Sequence, residues 1–165
     1  MIKFRLYVDN QKEQNWINKL SKEGWALKSF FLGFYKFERC EVREYIYQID
    51  LMPKRTMQQE YFEFMEETGV EVVCRWFYWV YLRKKTSDGE FKLYSDNESL
   101  KAHYESIIKF YRPAMYLELI AAFLQLPGIF VCSSIFNLFS FTLLLFLFLA
   151  IYKNIKTFEN KIEIL

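Results

Sequence analysis

Three aspartates are the first residues in this chain whose placement suggests chemistry. Phe4-Arg5-Leu6-Tyr7-Val8-Asp9, Tyr45-Ile46-Tyr47-Gln48-Ile49-Asp50 and Phe91-Lys92-Leu93-Tyr94-Ser95-Asp96 share one pattern: an aromatic first, a bulky residue third and Asp sixth. Carboxylates at three equivalent strand ends are the ligand type a hard divalent cation takes. The same carboxylate at the start of a helix accepts from the free N–H groups there, and capping accounts for each aspartate without a metal. His103 is the only histidine, so no multi-histidine centre can form, and beside Tyr104 it reads as a solvated or interfacial ring rather than a general base. Cys40, Cys74 and Cys132 are scattered, without a CxxC pair. In a reducing compartment they read as small apolar residues rather than a redox or metal site. The phosphate-loop, nucleophile-elbow and zincin motifs are missing, and five glycines build little of a phosphate cradle. These residues point to no catalytic group, no metal and no cofactor.

The richer constellation is aromatic and cationic. If the first and third residues of each copy face a helix-covered core, then Phe4, Leu6, Tyr45, Tyr47, Phe91 and Leu93 lie inside, and period two sends the alternate residues to the opposite face. That face receives Lys3, Arg5, Tyr7, Lys92 and Tyr94, with Lys28, Phe30, Phe34, Lys36, Arg75, Phe77, Trp79, Tyr81 and Arg83 from the long strands if no bulge near Gly33 breaks the phase. A bare sheet face with rings amid cations is too apolar for idle solvent surface. Arg5, Tyr7, Phe30, Phe34, Arg75, Phe77, Trp79, Tyr81 and Arg83 are therefore the candidate interaction surface. Three partners fit it: a second copy or another protein, anionic lipid headgroups, or single-stranded RNA. The missing RNP alternation of glycines and aromatics argues against RNA, and a net charge of +2 gives no reason to expect DNA.

The elements that must position these residues follow from the same pattern. Residues 10–23 carry Trp16, Ile17 and Leu20 on one helical face and end at Gly24. Residues 56–68 carry Met57, Tyr61, Phe64 and Met65 and end at Gly69. Glycine just past a helix supplies the left-handed cap. Long aromatic strands follow at residues 25–38 and 70–84, and aligning Gly24 with Gly69 also aligns Phe34 with Trp79 and Phe37 with Leu82. The order is β-α-β-β-α-β-β, with Asp88-Gly89 as the last turn. This predicts an α+β, ferredoxin-like duplicated β-α-β-β antiparallel sheet with both helices on one face. Ser95 and Glu98 form a capping box for a third helix over residues 97–111.

Trp16-Ile17-Asn18-Lys19-Leu20 with Lys22-Glu23-Gly24-Trp25 resembles the opening of the bacterial family labelled domain of unknown function 2812. So do Glu44-Tyr45-Ile46-Tyr47-Gln48-Ile49-Asp50 and Tyr94-Ser95-Asp96-Asn97-Glu98-Ser99. The resemblance spans residues 3–110. It implies a C-terminal membrane hairpin and, from genes commonly found beside PadR-type regulators, a role in a regulated membrane or envelope response. It carries over no catalytic residue.

Residues 113–152 make a membrane reading independently. These forty residues hold no Lys or Arg and one acid, Glu118. As helix they span about 60 Å, twice a bilayer core of about 30 Å. Two transmembrane helices are predicted there, with a turn near residues 133–137 or at Leu126-Pro127-Gly128. Lys101, Lys109 and Arg112 before the block and Lys153, Lys156 and Lys161 after it place both flanks in the cytoplasm. The N-terminus lacks a signal peptide's apolar run. The expected organisation is a cytoplasmic sheet domain (1–96), a connecting helix (97–112), two membrane helices (113–152) and a cytoplasmic tail (153–165), in a bacterial cytoplasmic membrane. Glu118 and Gln125 are the intramembrane polar candidates. The expected function is a non-catalytic membrane-anchored adaptor or sensor with lipid and protein or self contacts. The alternative is a small oligomeric transport accessory or channel-like protein using the membrane hairpin.

Overall fold

A computed structural model describes the chain apart from Val8, Ser133 and Ser134, with all side chains except those three, Arg55 and residues 129–132. It forms two compact units, Met1–Leu93 and Tyr94–Leu165.

The first unit is α+β. Its elements are β1 (Ile2–Phe4), α1 (Asn10–Lys22), β2 (Trp25–Phe31), β3 (Phe34–Arg39), β4 (Tyr45–Leu51), α2 (Gln58–Glu67), β5 (Val70–Trp76) and β6 (Trp79–Lys85). Asp9 starts α1 as expected, its carboxylate accepting from the amides of Gln11 and Lys12. Gly24 and Gly69, at φ +81° and +72°, follow the two helices, and their amides donate to Ser21 and Glu66 carbonyls.

Each predicted long strand is a hairpin, turning at Leu32-Gly33 and at Phe77-Tyr78. The sequence hides these turns because neither carries the Asn-Gly or Asp-Gly pair that marks a two-residue loop. The duplication is real at the level of irregularities. A bulge falls between Leu27 and Ser29 in β2 and again between Val72 and Cys74 in β5. Leu32 and Phe77 share a left-handed backbone, at φ 45° and 50°. Both features recur at the offset that relates Gly24 to Gly69.

The strands form two three-stranded antiparallel sheets, ordered β1-β3-β2 and β4-β6-β5, where one sheet was expected. They share a core. Leu27, Tyr35 and Phe37 of the first sheet and Tyr47, Ile49 and Tyr81 of the second pack together with Ile17 and Leu20 of α1. The other side of the second sheet presents Val70, Val80 and Leu82 to Met65 of α2 and to Phe91. The third copy is therefore not a strand. It is a covering segment, held where the Gln48 amide donates to the Phe91 carbonyl at 2.6 Å.

α1 also closes an edge. Its Gln14, Asn18 and Ser21 lie on one helical stripe facing the free side of β4. The Gln14 side chain accepts from the Ile49 amide (2.9 Å). Asn18 donates to the Tyr47 carbonyl and accepts from the Tyr47 amide, both at 2.8 Å. Ser21 donates to the Tyr45 carbonyl (2.6 Å). An unpaired strand edge invites pairing with another chain, and here three side chains occupy it.

The second unit is two long helices, α3 (Asn97–Cys132) and α4 (Ile135–Ile164). Asp96, rather than Ser95, caps α3 by accepting from the Ser99 amide at 2.8 Å. α3 runs without interruption through Pro113 and Pro127, so charged and apolar segments share one helix and Leu126-Pro127-Gly128 is not the turn. Of the predicted turn, Ser133 and Ser134 lie outside the described residues, and Ile135, Phe136 and Asn137 begin α4. The helices are antiparallel: Asn97 donates to the Leu165 carbonyl and Arg112 to Glu159. A side chain added at Gly128 would collide with the Asn137 carboxamide. Among the described residues one helix, α4, is long and apolar enough to cross a membrane, and its apolar stretch is unburied.

Candidate functional site

Register decides which side chains the first unit presents. Phe4 lies opposite Phe34 and Lys3 opposite Tyr35. Directly paired residues share a face, and Tyr35 faces the core, so Phe4 and Phe34 face out. Their rings are 4.8 Å apart. This reverses the expected phase of the first copy: Phe4 is exposed, as is Leu6 at 76 %. Arg5 and Tyr7 turn instead toward α1, the guanidinium lying 4.9 Å from the Trp16 ring and donating to the Tyr7 hydroxyl.

The rest of the predicted surface does not lie on one open face either. Tyr81 is 3 % exposed, and Phe30 and Trp79 pack against the same core. Arg75 falls on the other side of the second sheet, because the bulge before Cys74 shifts the strand's phase; its guanidinium stacks 3.8 Å over Phe62. Arg83 pairs with Glu71 at 2.7 Å and covers Tyr45. Phe34 and Phe77 remain exposed, the latter at 74 %.

What stands open is a different constellation, at the tips of the two hairpins. Phe31, Leu32 and Phe34 crown the first, and Phe77 and Tyr78 the second. The tips meet where Phe31 lies edge-on to Trp76 with ring centres 4.9 Å apart. Gly33 lets the preceding segment approach closely: the Arg5 amide donates to its carbonyl at 2.9 Å, and a Cβ there would sit 2.8 Å from both the Arg5 carbonyl and Leu6 Cδ2. Leu6 joins the tip in this way. At the second tip the Met52 amide donates to the Tyr78 carbonyl at 2.7 Å, which brings Met52-Pro53-Lys54 alongside. The left-handed backbone at Leu32 and Phe77 favours Gly or Asn and strains larger side chains. Large apolar groups stand there nonetheless. The repeat offset from Gly24 to Gly69 relates Leu32 to Phe77, and that was the available sequence signal.

A polar cluster that sequence reasoning missed lies in the core. Glu13, 5 % exposed, accepts from the Tyr35 hydroxyl at 2.7 Å and the Tyr81 hydroxyl at 2.6 Å. Burial raises its carboxyl above the usual carboxylate range, against the pull of the two phenols. Burial and the adjacent Glu13 carboxylate push both tyrosines well above the ordinary phenol range. The signal was spacing, since Glu13, Ile17 and Leu20 share one helical face. The cluster fastens α1 to both sheets.

Several of the remaining polar groups are similarly engaged. Asp50 does not cap α2, which begins only at Gln58; it accepts from the Tyr61 hydroxyl at 2.7 Å. Among the described residues no three His, Cys, Asp or Glu side chains gather as a metal site. Burial pushes the Cys74 thiol up to about 11 and raises Cys40 as well, so neither is a thiolate near neutrality. Cys132 lies outside the described side chains. A groove of about 630 Å³ between α2 and β5 carries Glu66, Glu71 and Asp88 beside Arg75 and Lys85, a mixed and open lining. In the second unit His103 stacks on Tyr94 at 4.3 Å. Glu118 and Gln125 are half-buried, with one Glu118 oxygen enclosed and unpartnered among the described residues.

A family model described as protein of unknown function (DUF2812) matches residues 9–116. No curated protein and no solved structure gives a significant match.

Proposed function

The chain belongs to the DUF2812 family, and from that premise we propose that it is a membrane-attached, non-catalytic interaction protein. The α3–α4 pair holds it to the bilayer, crossing as a hairpin, and the first unit acts as an adaptor or sensor in a regulated envelope response. The observation that carries this reading is the hairpin-tip surface. Leu32 and Phe77 occupy strained backbone and remain in solvent, which is hard to reconcile with packing alone and fits a contact made elsewhere. Two further facts support it: the buried acids Glu13 and Asp50 are held by tyrosines, and the Cys40 and Cys74 thiols are raised.

The test is site-specific photocrosslinking of the full chain in native membranes. A crosslinking residue replacing Phe77 should give protein or lipid adducts, and one replacing Ser87, exposed beyond the far end of β6, should not. Equal yields from the two positions would remove the tips as the working surface.

A further inference from the structure

The two hairpin tips carry their apolar side chains inside a one-signed setting. Four segments converge there: residues 1–7, 29–37, 51–54 and 75–79, joined by the β1–β3 pairing, the Arg5–Gly33 and Met52–Tyr78 backbone bonds, and the Phe31–Trp76 contact. These segments contain Lys3, Arg5, Lys36 and Lys54, with Arg75 turned over Phe62 into the mixed groove beside α2, and no Asp or Glu. The opposite end of the same strands is mixed, with Glu38 paired to Lys28 and Glu71 to Arg83.

We propose that the hairpin tips dock into an anionic bilayer surface, Leu32, Phe77 and their neighbours entering the headgroup region while the basic collar meets lipid phosphates. The inference rests on the membrane-attached reading above and names the partner of that surface. Aromatic and apolar residues flanked by Lys and Arg are the composition that settles at a membrane interface, and cations alone gain from a negatively charged leaflet. A protein partner would need acids matched to a collar spread around two loops. A lipid surface supplies that charge without registration. The chain also carries α4, long and apolar enough to cross a membrane. Once a chain is tethered, tip contact becomes intramolecular, so a weak affinity is enough.

The measurement is amide hydrogen exchange at the Phe31–Phe34 and Trp76–Trp79 turns of the full chain, in phosphatidylglycerol-containing nanodiscs, in pure phosphatidylcholine nanodiscs and in detergent. Exchange should slow about tenfold with phosphatidylglycerol only. The double variant Leu32→Asn with Phe77→Asn should lose that protection. Asparagine tolerates the left-handed backbone, so this variant keeps the fold and its loss cannot be ascribed to unfolding. Lys36→Glu with Lys54→Glu should weaken the protection as well. Equal exchange in the two nanodiscs, or protection in detergent that grows with protein concentration and so reports a second copy, would overturn the proposal. Protein adducts from position 77 without lipid-dependent protection would reject the lipid assignment and leave the interaction reading standing.

Discussion

At the scale of single residues, Glu13 is where buried chemistry has a measurable consequence. Its folded carboxyl titrates above the ordinary value of 4.5, with burial the larger cause. An acid raised on folding contributes stability that is fully present below its unfolded value and is lost as pH rises through its folded value. Wild-type stability should therefore fall between about pH 4.5 and the folded titration point. Glu13→Gln retains an oxygen for the two tyrosine hydroxyls and has no proton to lose. It should flatten that fall, as thermal unfolding of the full chain at pH 5 and pH 7 would show. An unchanged pH slope would mean that Glu13 does not titrate in this range. Glu13→Ala should cost more at both pH values, because each stranded phenol loses about 1–3 kcal/mol.

At the scale of elements, the contact with the most at stake is the stripe of α1 along β4. Asn18 alone satisfies both the amide and the carbonyl of Tyr47. Asn18→Ala should destabilise the protein by about 2–4 kcal/mol, since an unmet buried group costs about 1–3 kcal/mol, and it should leave β4 open to pairing between molecules. Urea unfolding reads the first effect and light scattering the second; unchanged stability would show that water replaces Asn18 without loss. Nothing in the sequence separates Gln14, Asn18 and Ser21 from an ordinary solvated helix face, because polar side chains bonded to backbone look the same as polar side chains bonded to water. The helices themselves were legible, since Asp9 and the glycines at 24 and 69 mark their ends. The repeat was legible from the same glycines. The hairpins were not, because Leu32 and Phe77 hold turn positions where glycine or asparagine would announce them. The outward phase of Phe4 was hidden as well: it is set by pairing with Phe34, across thirty residues of chain, and alternation within one strand cannot say which face is buried. Half of the predicted surface turned inward for the same reason. Trp79, Tyr81 and Arg83 share one face of β6, and the first sheet, not foreseen as a separate layer, packs against Trp79 and Tyr81.

At the scale of the molecule, α3 and α4 carry their cations at one end of the pair. Lys101, Lys109 and Arg112 lie on the opening half of α3, and Lys153, Lys156 and Lys161 on the closing half of α4; the Arg112–Glu159 pair joins the two halves at 3.1 Å. On the membrane-attached reading proposed above, the positive-inside rule predicts that both face the cytoplasm. In a chain carrying Cys132→Ser, a cysteine introduced at Glu163 should resist a membrane-impermeant thiol reagent in intact cells and react once the membrane is opened. Reaction from outside would mean that the chain crosses once. The stripe of α1 on β4 also has a meaning for the first unit's folding. α1 belongs to the first copy of the repeat and β4 opens the second, so the first copy's helix closes an edge in the second. Neither half can be excised as a miniature of the whole: one would leave with a helix whose polar stripe has no strand, the other with a naked strand edge. Segments so joined open and close as one cooperative block rather than two.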